Sequence, residues 1–468
     1  MSRMSETHNE ARVRRRLAPM ALAGLTILAG LLSSSAMAQT AASAASNKVD
    51  TGDTAWMLAS TALVLMMTIP GLALFYAGMV RKKNVLATLM QSFTITCLVT
   101  IVWMVIGYSL AFTNGTAYIG GFSRFLLMGI ADHIVKGVDD AFVLGAGSDA
   151  ASPQTVPESV YMMFQMTFAI ITPALIAGAF ADRMKFSAMC VFMVLWSVIV
   201  YAPVAHWVWA PTGWLSQLGV LDFAGGTVVH IDAGIAGLMS ALVLGKRLGY
   251  GQENMAPYNL TYAVAGASLL WVGWFGFNAG SAVGANGRAS MAMTVTQIAT
   301  AAAALGWMAT EWINKGAPSV LGLVSGAVAG LVAITPASGF VLPGPSLVIG
   351  VVAGVACYWS ATSLKHWLGY DDSLDAFGIH CIGGIIGSLL TGVFAYGPLS
   401  ATDTNPDGSP GSLHQLGLQA IGVVATLVYS GAVSWVLLLI VNAVIGLRVA
   451  PDQEREGLDL TLHGEQIL

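Results

Sequence analysis

Two apolar stretches decide the fold of this chain, and they repeat each other: His230-Ile231-Asp232-Ala233-Gly234-Ile235-Ala236-Gly237 and His380-Cys381-Ile382-Gly383-Gly384-Ile385-Ile386-Gly387. In both stretches glycine stands at the fourth and seventh places after histidine, and isoleucine at the fifth. The chain is therefore interpreted as duplicated, with two related membrane helices that carry an imidazole at equivalent depth. Because an ionisable group inside a bilayer is costly and usually functional, the repeat predicts two functional histidines.

A second pair of phrases supports the duplication. Phe-Tyr-Ala-Gly at 75–78 ends one early predicted helix, and Phe-Asn-Ala-Gly at 277–280 ends a later one. Internal repeats with a site at their interface are typical of transporters and channels.

The composition is that of a membrane protein. Hydrophobic residues make up 56% of the chain and charged residues 9%, whereas an average soluble domain has roughly 25% charged residues. The net charge of −4 and the absence of a basic run give no indication of a nucleic-acid partner. Apolar runs of about 20 residues predict an all-α polytopic protein with eleven transmembrane helices. The predicted spans are 54–80, 87–113, 158–180, 186–208, 226–245, 260–280, 291–313, 319–337, 346–366, 376–396 and 416–446.

The first 38 residues have the pattern of a signal peptide. Four arginines between Arg12 and Arg16 precede an apolar core at 17–32, and Ala36-Met37-Ala38 follows as a cleavage site of small residues. An uncleaved first helix is the alternative. The remaining chain is divided into a transmembrane domain, 39–447, and a cytoplasmic tail, 448–468.

The distribution of Lys and Arg predicts the orientation, because short loops rich in these residues stay in the cytoplasm. With the N-terminus outside and the C-terminus in the cytoplasm, only four basic residues fall in the outer segments: Lys48, Arg124, Lys136 and Arg288. The inner loops hold Arg81, Lys82, Lys83, Arg183, Lys185, Lys246, Arg247, Lys315, Lys365 and Arg448. The sequence therefore predicts a multi-pass protein of the cell (inner) membrane.

An aspartate precedes each histidine: Asp222 before His230, and Asp375 before His380. A carboxylate at a helix start accepts backbone N–H bonds that lipid would leave unpaired. The alternative is a direct role in attracting a cation. Asp375 is predicted near the cytoplasmic edge, where capping is favoured.

Buried histidines can ligate haem or a metal, relay protons or line a pore. Here no Met or Cys arrangement completes a ligand set, and each repeat has one histidine. We therefore expect no cofactor and no metal.

Aromatic residues are spaced to share helix faces with one another and with small polar groups. Phe164 and Phe168 are four residues apart, as are Phe277 and Ser281, and Trp209 lies at the outer end of the fourth span. Packing and membrane anchoring are the ordinary roles of such residues. Facing a cation-sized pocket, they would instead form a cation-π site.

At these residues the chain resembles the ammonium transporter family (Amt/Mep/Rhesus), in particular its bacterial Amt branch. The likeness runs from about Thr54 to Gly464. The matching phrases lie at 68–76, 222–230, 273–281 and 377–380, and the tail resembles the family's segment at 444–449 and 453–459.

The resemblance implies a homotrimer with one pore per subunit, an inverted repeat of helices 1–5 and 6–10, and a PII-type signalling protein as a possible partner at the cytoplasmic face. The residue roles that it implies are an outer ammonium recruitment site at Phe164, Trp209 and Ser281, a stacked gate of Phe168 and Phe277, twin pore histidines His230 and His380, and a supporting carboxylate, Asp222. Asp232 departs from the family pattern, which often has Asn there. The loop 114–158 contains no family motif.

These observations predict a transporter that deprotonates ammonium and conducts ammonia past two neutral histidines, which share a hydrogen bond and also relay the proton. An ammonium sensor acting through the tail and a general gas or solute channel are the alternatives. No arrangement typical of an intramembrane enzyme is visible, so no catalytic activity is expected.

Overall fold

Helices dominate the computed structural model, which describes residues 48–131, 141–149, 151–401 and 407–467. The predicted signal peptide, 1–38, and Lys136 lie outside these residues. Within the described ranges, ten helices are long and apolar enough to cross a membrane. An eleventh apolar helix, Val320–Ile334, is shorter, with 15 residues. The helices are α1 (Thr51–Met79), α2 (Lys82–Phe112), α3 (Glu158–Phe180), α4 (Phe186–Leu218), α5 (Gly226–Leu244), α6 (Leu260–Gly280), α7 (Gly287–Lys315), α8 (Val320–Ile334), α9 (Pro343–Leu368), α10 (Phe377–Phe394) and α11 (Leu413–Val444). The prediction of a polytopic helical membrane protein is confirmed.

Each predicted span corresponds to one of these helices. The bounds of α3 and α6 agree with the predicted 158–180 and 260–280. The largest difference is in α4, which was predicted to end at 208 and extends to Leu218. Its regular backbone stops after Trp209, because Ala210 is extended, and a further turn forms at Trp214–Leu218.

The two ends of the bundle differ. The start of α1 lies at the end that carries a short antiparallel β-hairpin, β1 (Val143–Leu144) paired with β2 (Ser152–Pro153), and we call this end the hairpin face. The opposite end, the tail face, carries α12 (Pro451–Glu456) and α13 (Leu458–His463). The hairpin is the one departure from an all-α fold that the described residues contain, and it falls in the loop 114–158.

The two halves of the chain meet along equivalent helices. α1 packs against α6, and α5 packs against α10, and the members of each pair run in opposite directions. Glycines make the first contact close: a Cβ on Gly266 of α6 would lie 2.2 Å from the Phe75 backbone nitrogen of α1.

The glycine at the fourth place after each histidine likewise allows close contact between α5 and α10. A Cβ on Gly234 would lie 2.4 Å from the backbone nitrogen of Cys381, and one on Gly384 would lie 2.8 Å from the carbonyl oxygen of Gly226. Backbones approach this closely only where side chains are absent. The repeated motif therefore brings the two histidine-bearing helices into contact.

The tail is attached to the tail face by polar contacts. The Asp459 carboxylate accepts hydrogen bonds from the backbone N–H groups of Leu86 (3.1 Å) and Ala87 (2.7 Å) at the start of α2. Arg448 pairs with buried Glu454 at 2.8 Å, and Glu454 also accepts a hydrogen bond from the Leu248 N–H at 2.7 Å. The tail thus connects helix ends that are far apart in sequence.

Candidate pore and its mouth

A cavity of about 160 Å³ opens at the hairpin face. Its walls come from five separate parts of the chain. The lining residues are Leu144, Gln154, Tyr161, Gln165, Phe168, Trp209, Phe223, Ser281 and Val283. Three of the residues that the sequence analysis assigned to recruitment or gating, Phe168, Trp209 and Ser281, are thus brought together. We call this space the mouth cavity.

Local hydrogen bonds orient the polar and aromatic groups of the mouth cavity. The Trp209 indole N–H donates to the carbonyl oxygen of Asp222 at 3.0 Å, which fixes the ring at the end of the regular part of α4. Ser281 donates its hydroxyl hydrogen to the carbonyl oxygen of Phe277 at 2.8 Å. The lone pairs of the Ser281 oxygen are therefore left to accept a hydrogen bond.

Phe164 lies behind the wall of the mouth cavity. It is 1% exposed and is not one of the residues that line the mouth cavity. Its ring packs edge-on against Phe168 with centroids 4.9 Å apart. Phe164 therefore supports the cavity wall through Phe168.

Phe168, which lines the mouth cavity, packs its ring against that of Phe277. Their ring centroids are 4.3 Å apart at 35°, and the rings are 1% and 0% exposed. Phe168 also meets Trp209 edge-on at 5.6 Å. The two rings are thus buried against each other, and the gate that the resemblance assigned to them stays a prediction.

The histidines lie beyond these rings, buried together between α5 and α10. The His230 ring is 6.0 Å from that of Phe277, and the His380 ring is 5.4 Å from that of His230 at 18°. They are 1% and 4% exposed. The expectation that the duplicated motif pairs two buried imidazoles agrees with this geometry.

The hydrogen bond expected between the histidines is absent. Neither ring nitrogen of His230, nor Nδ1 of His380, has a hydrogen-bond partner among the described residues. The unpaired nitrogens are therefore the polar groups of an otherwise apolar space.

Trp274 is a residue of this region to which the sequence analysis gave no role. Its ring is 5.4 Å from that of His230 at 20°, and its indole N–H donates to Thr335 Oγ1 at 2.9 Å. It lies one turn before Phe277 on α6, so the same helical spacing that selected Phe277 could have identified it.

Asp222 is a helix cap. Its carboxylate accepts hydrogen bonds from the backbone N–H groups of Gly225 (2.8 Å), Gly226 (2.6 Å), Thr227 (2.8 Å) and Val228 (3.2 Å), and from the Thr227 hydroxyl. The residue is 6% exposed and is not one of those lining the mouth cavity. Of the two roles considered for Asp222, capping the start of α5 is the one that these contacts support.

The expectation that Asp375 caps the start of α10 was wrong. Its carboxylate pairs with Lys365 at 2.8 Å, and the start of α10 is instead capped by Asp372, which accepts a hydrogen bond from the Phe377 N–H at 2.8 Å. Asp372 precedes His380 by eight residues, as Asp222 precedes His230, and in both cases the bonded N–H is five residues after the carboxylate. The equal spacing was present in the sequence and could have identified Asp372.

Asp232, the position that departs from the family pattern, is fully buried on α5. Neither of its carboxylate oxygens has a hydrogen-bond partner among the described residues. Its backbone carbonyl accepts a hydrogen bond from Ser430 of α11 at 3.0 Å.

A bundle of long apolar helices that buries two adjacent histidines between its halves has the features of a membrane transport protein. The chain belongs to the Ammonium Transporter Family, which it matches over residues 55–467. The ammonium transporter of Aquifex aeolicus is 49% identical over 451 residues, which cover 95% of this chain and 99% of that protein.

Solved structures give the same assignment. Mep2 of Saccharomyces cerevisiae superposes with a TM-score of 0.77 at 37% identity, covering 86% of this chain and 89% of that one. A structure described as a "Sensor Amt Protein" superposes with a TM-score of 0.78 at 27% identity, covering 88% and 98%. The family suggested by the sequence motifs is confirmed.

Proposed function

We propose that this ammonium transporter recruits the ammonium ion in the mouth cavity, removes a proton at the phenylalanine gate and conducts ammonia past the two histidines. The observation that carries the proposal is the continuous order of these groups. Phe168 lines the mouth cavity and packs against Phe277, the His230 ring lies 6.0 Å from the Phe277 ring, and the His380 ring lies 5.4 Å from the His230 ring.

Recruitment uses groups that bind a cation without a countercharge. The Trp209 and Phe168 rings line the mouth cavity and offer their π faces, and Ser281 offers an oxygen that accepts a hydrogen bond. Asp222 supports recruitment indirectly, because its backbone carbonyl orients the Trp209 ring.

Burial drives deprotonation. An unpaired ion in a low-dielectric medium costs on the order of tens of kcal/mol by Born estimates, whereas a small neutral polar molecule costs only a few. Burial lowers the pKa of an ammonium-type group by up to about 3 to 5 units, as it does for lysine. Potassium has no proton to lose and must bear the whole cost, so the gate selects against it without a size filter.

The histidines provide polar ring edges to ammonia in the neutral form and carry the released proton, which makes transport electrogenic. Their unpaired nitrogens are the groups that support this role.

Replacing both His230 and His380 by Ala is expected to abolish the ammonium-evoked current of the purified protein in liposomes, because no other imidazole remains in the pore. The exposed His414→Ala is the control and should leave the current unchanged. An undiminished, equally selective current in the double variant would contradict the relay.

We further propose that the protein has eleven transmembrane spans in the cell (inner) membrane, with the hairpin face outside and the tail in the cytoplasm, and that it forms a homotrimer. The basic residues of the tail face support the orientation: Arg81, Arg183, Arg247 and Lys365 all lie there with the tail. A PII-type protein is proposed as the partner of that face.

A sensing role is the second candidate, and the likeness to a protein described as a sensor favours it. Growth on limiting ammonium in a transport-deficient host separates the two functions. A pure sensor would not restore growth, whereas a transporter would.

A further inference from the structure

A buried amide in the wall of the mouth cavity has an unused acceptor. Gln165 lines the cavity and is 8% exposed. Its carbonyl oxygen has no hydrogen-bond partner among the described residues. Buried polar atoms are nearly always hydrogen-bonded in folded proteins, so an unpaired oxygen on a residue that lines a cavity is a candidate partner for a donor bound there.

The position of Gln165 is set by its helix. It lies on α3 between Phe164, which supports the wall, and Phe168, which lines the cavity. Its amide nitrogen donates to the hydroxyl of Tyr161, one turn earlier, at 3.3 Å. This bond uses one N–H of the amide, and the carbonyl oxygen accepts no hydrogen bond from the described residues.

The positive charge and the N–H donors of ammonium suit an acceptor such as the Gln165 carbonyl oxygen. The ion has four N–H donors and no acceptor, so in a site with little water it needs oxygen atoms or π faces around it. Ser281 supplies one oxygen, and Trp209 and Phe168 supply π faces. The Gln165 carbonyl adds a second oxygen that is not used elsewhere.

The β-hairpin covers the same space. Leu144 of β1 and Gln154, which follows β2, both line the mouth cavity. Gln154 uses its amide nitrogen within the hairpin, where it donates to the Ser152 carbonyl oxygen at 3.2 Å. The hairpin thus forms part of the wall of the cavity that Gln165 lines.

We propose that Gln165 is a substrate-positioning residue whose side-chain carbonyl oxygen accepts a hydrogen bond from the ammonium ion in the mouth cavity. This inference rests on the proposed recruitment of ammonium there and adds a specific group to it.

The test is Gln165→Met, which keeps the length of the side chain and removes the acceptor. Its matched control is Gln91→Met, because Gln91 on α2 is also buried, has an unpaired carbonyl oxygen and is not one of the residues lining the mouth cavity. The measurement is ammonium-evoked current in liposomes as a function of ammonium concentration. A hydrogen bond to a charged group predicts that Gln165→Met raises the half-saturating concentration by about tenfold or more, with little change in the maximal current, whereas Gln91→Met leaves the concentration unchanged.

Gln165→Glu separates the acceptor from the shape of the wall. It retains a side-chain oxygen at the same distance from the backbone, so the half-saturating concentration should stay at or below that of the unsubstituted protein. An unchanged value in Gln165→Met overturns the inference, and so does an equal loss in Gln165→Met and Gln165→Glu.

Trp209→Leu distinguishes failure of this inference from failure of the proposed recruitment. If Trp209→Leu weakens apparent affinity and Gln165→Met does not, recruitment at the mouth stands and the role of Gln165 is wrong. If neither variant changes the half-saturating concentration, recruitment at this cavity is itself wrong.

Discussion

At the residue scale, two buried carboxylates perform the same task in the two halves of the chain. Asp222 caps α5 and Asp372 caps α10, each eight residues before its histidine. Their surroundings differ, because Asp372 lies near Lys365 and Asp375 at the tail face. Burial raises the pKa of Asp372 to about 6, although the nearby lysine opposes the shift.

The raised pKa of Asp372 predicts a pH dependence of stability. Between its ordinary value of 3.8 and about 6, the folded protein holds a proton that the unfolded chain has lost, so stability falls as pH rises through this window, by up to about 3 kcal/mol. Asp372→Asn keeps an acceptor for the Phe377 N–H and removes the titration. The difference in melting temperature between this variant and the unsubstituted protein should therefore increase from pH 4 to pH 6.5; parallel curves would contradict the assignment.

At the scale of elements, the contact between α5 and α10 sets the distance between the two histidines. Gly234 and Gly384 each face the partner helix at a separation that leaves no room for a side chain. The same arrangement recurs where α8 and α9 pack on α7: a Cβ on Gly330 would lie 2.6 Å from the Ala303 Cβ, and one on Gly354 would lie 2.3 Å from the Ala303 carbonyl oxygen. Small residues thus position the helices at both contacts.

Gly384→Val should separate α5 from α10 and reduce transport by at least about tenfold, with a loss of stability of about 1 to 3 kcal/mol from overpacking. The added Cβ alone would lie 2.9 Å from Ile231 Cγ1 and 3.2 Å from the His230 Cβ. Gly417→Val on α11 is the control, because no atom lies within 4 Å of a Cβ at that position. Ammonium-evoked current and thermal unfolding would measure both effects. Equal behaviour of the two variants would show that helix propensity, not the contact, is responsible.

At the scale of the whole molecule, the tail joins parts of the chain that are distant in sequence. Asp459 satisfies backbone donors at the start of α2, and Leu458 donates its N–H to Asn84 Oδ1 at 2.8 Å. Arg448 also donates to the carbonyl oxygen of Leu244, at the end of α5, at 3.0 Å. The tail is therefore part of the folded bundle.

Asp459→Ala removes the acceptor at the start of α2, which by analogy with other helix caps should cost about 0.5 to 2 kcal/mol. Release of the tail would expose Arg455 to faster cleavage by trypsin. Glu465→Ala on the same tail is the control, since Glu465 is exposed and distant in sequence from Arg455. The rate of tail proteolysis should rise in the first variant and stay constant in the second.

Helix positions, the duplication and the family could be inferred from the sequence because they depend on properties that are local along the chain. The bounds of α3 and α6, and the pairing of His230 with His380, follow from apolar run length and from a motif repeated within each half. The mouth cavity depends on the tertiary structure. Its walls combine Leu144, Gln165, Trp209 and Ser281, which no sequence period connects, and the unpaired oxygen of Gln165 is recognisable only once its neighbours are known. The capping of α10 by Asp372 and not by Asp375 also depends on the tertiary structure. The backbone path brings Asp372 to the Phe377 N–H, and Lys365 pairs with Asp375.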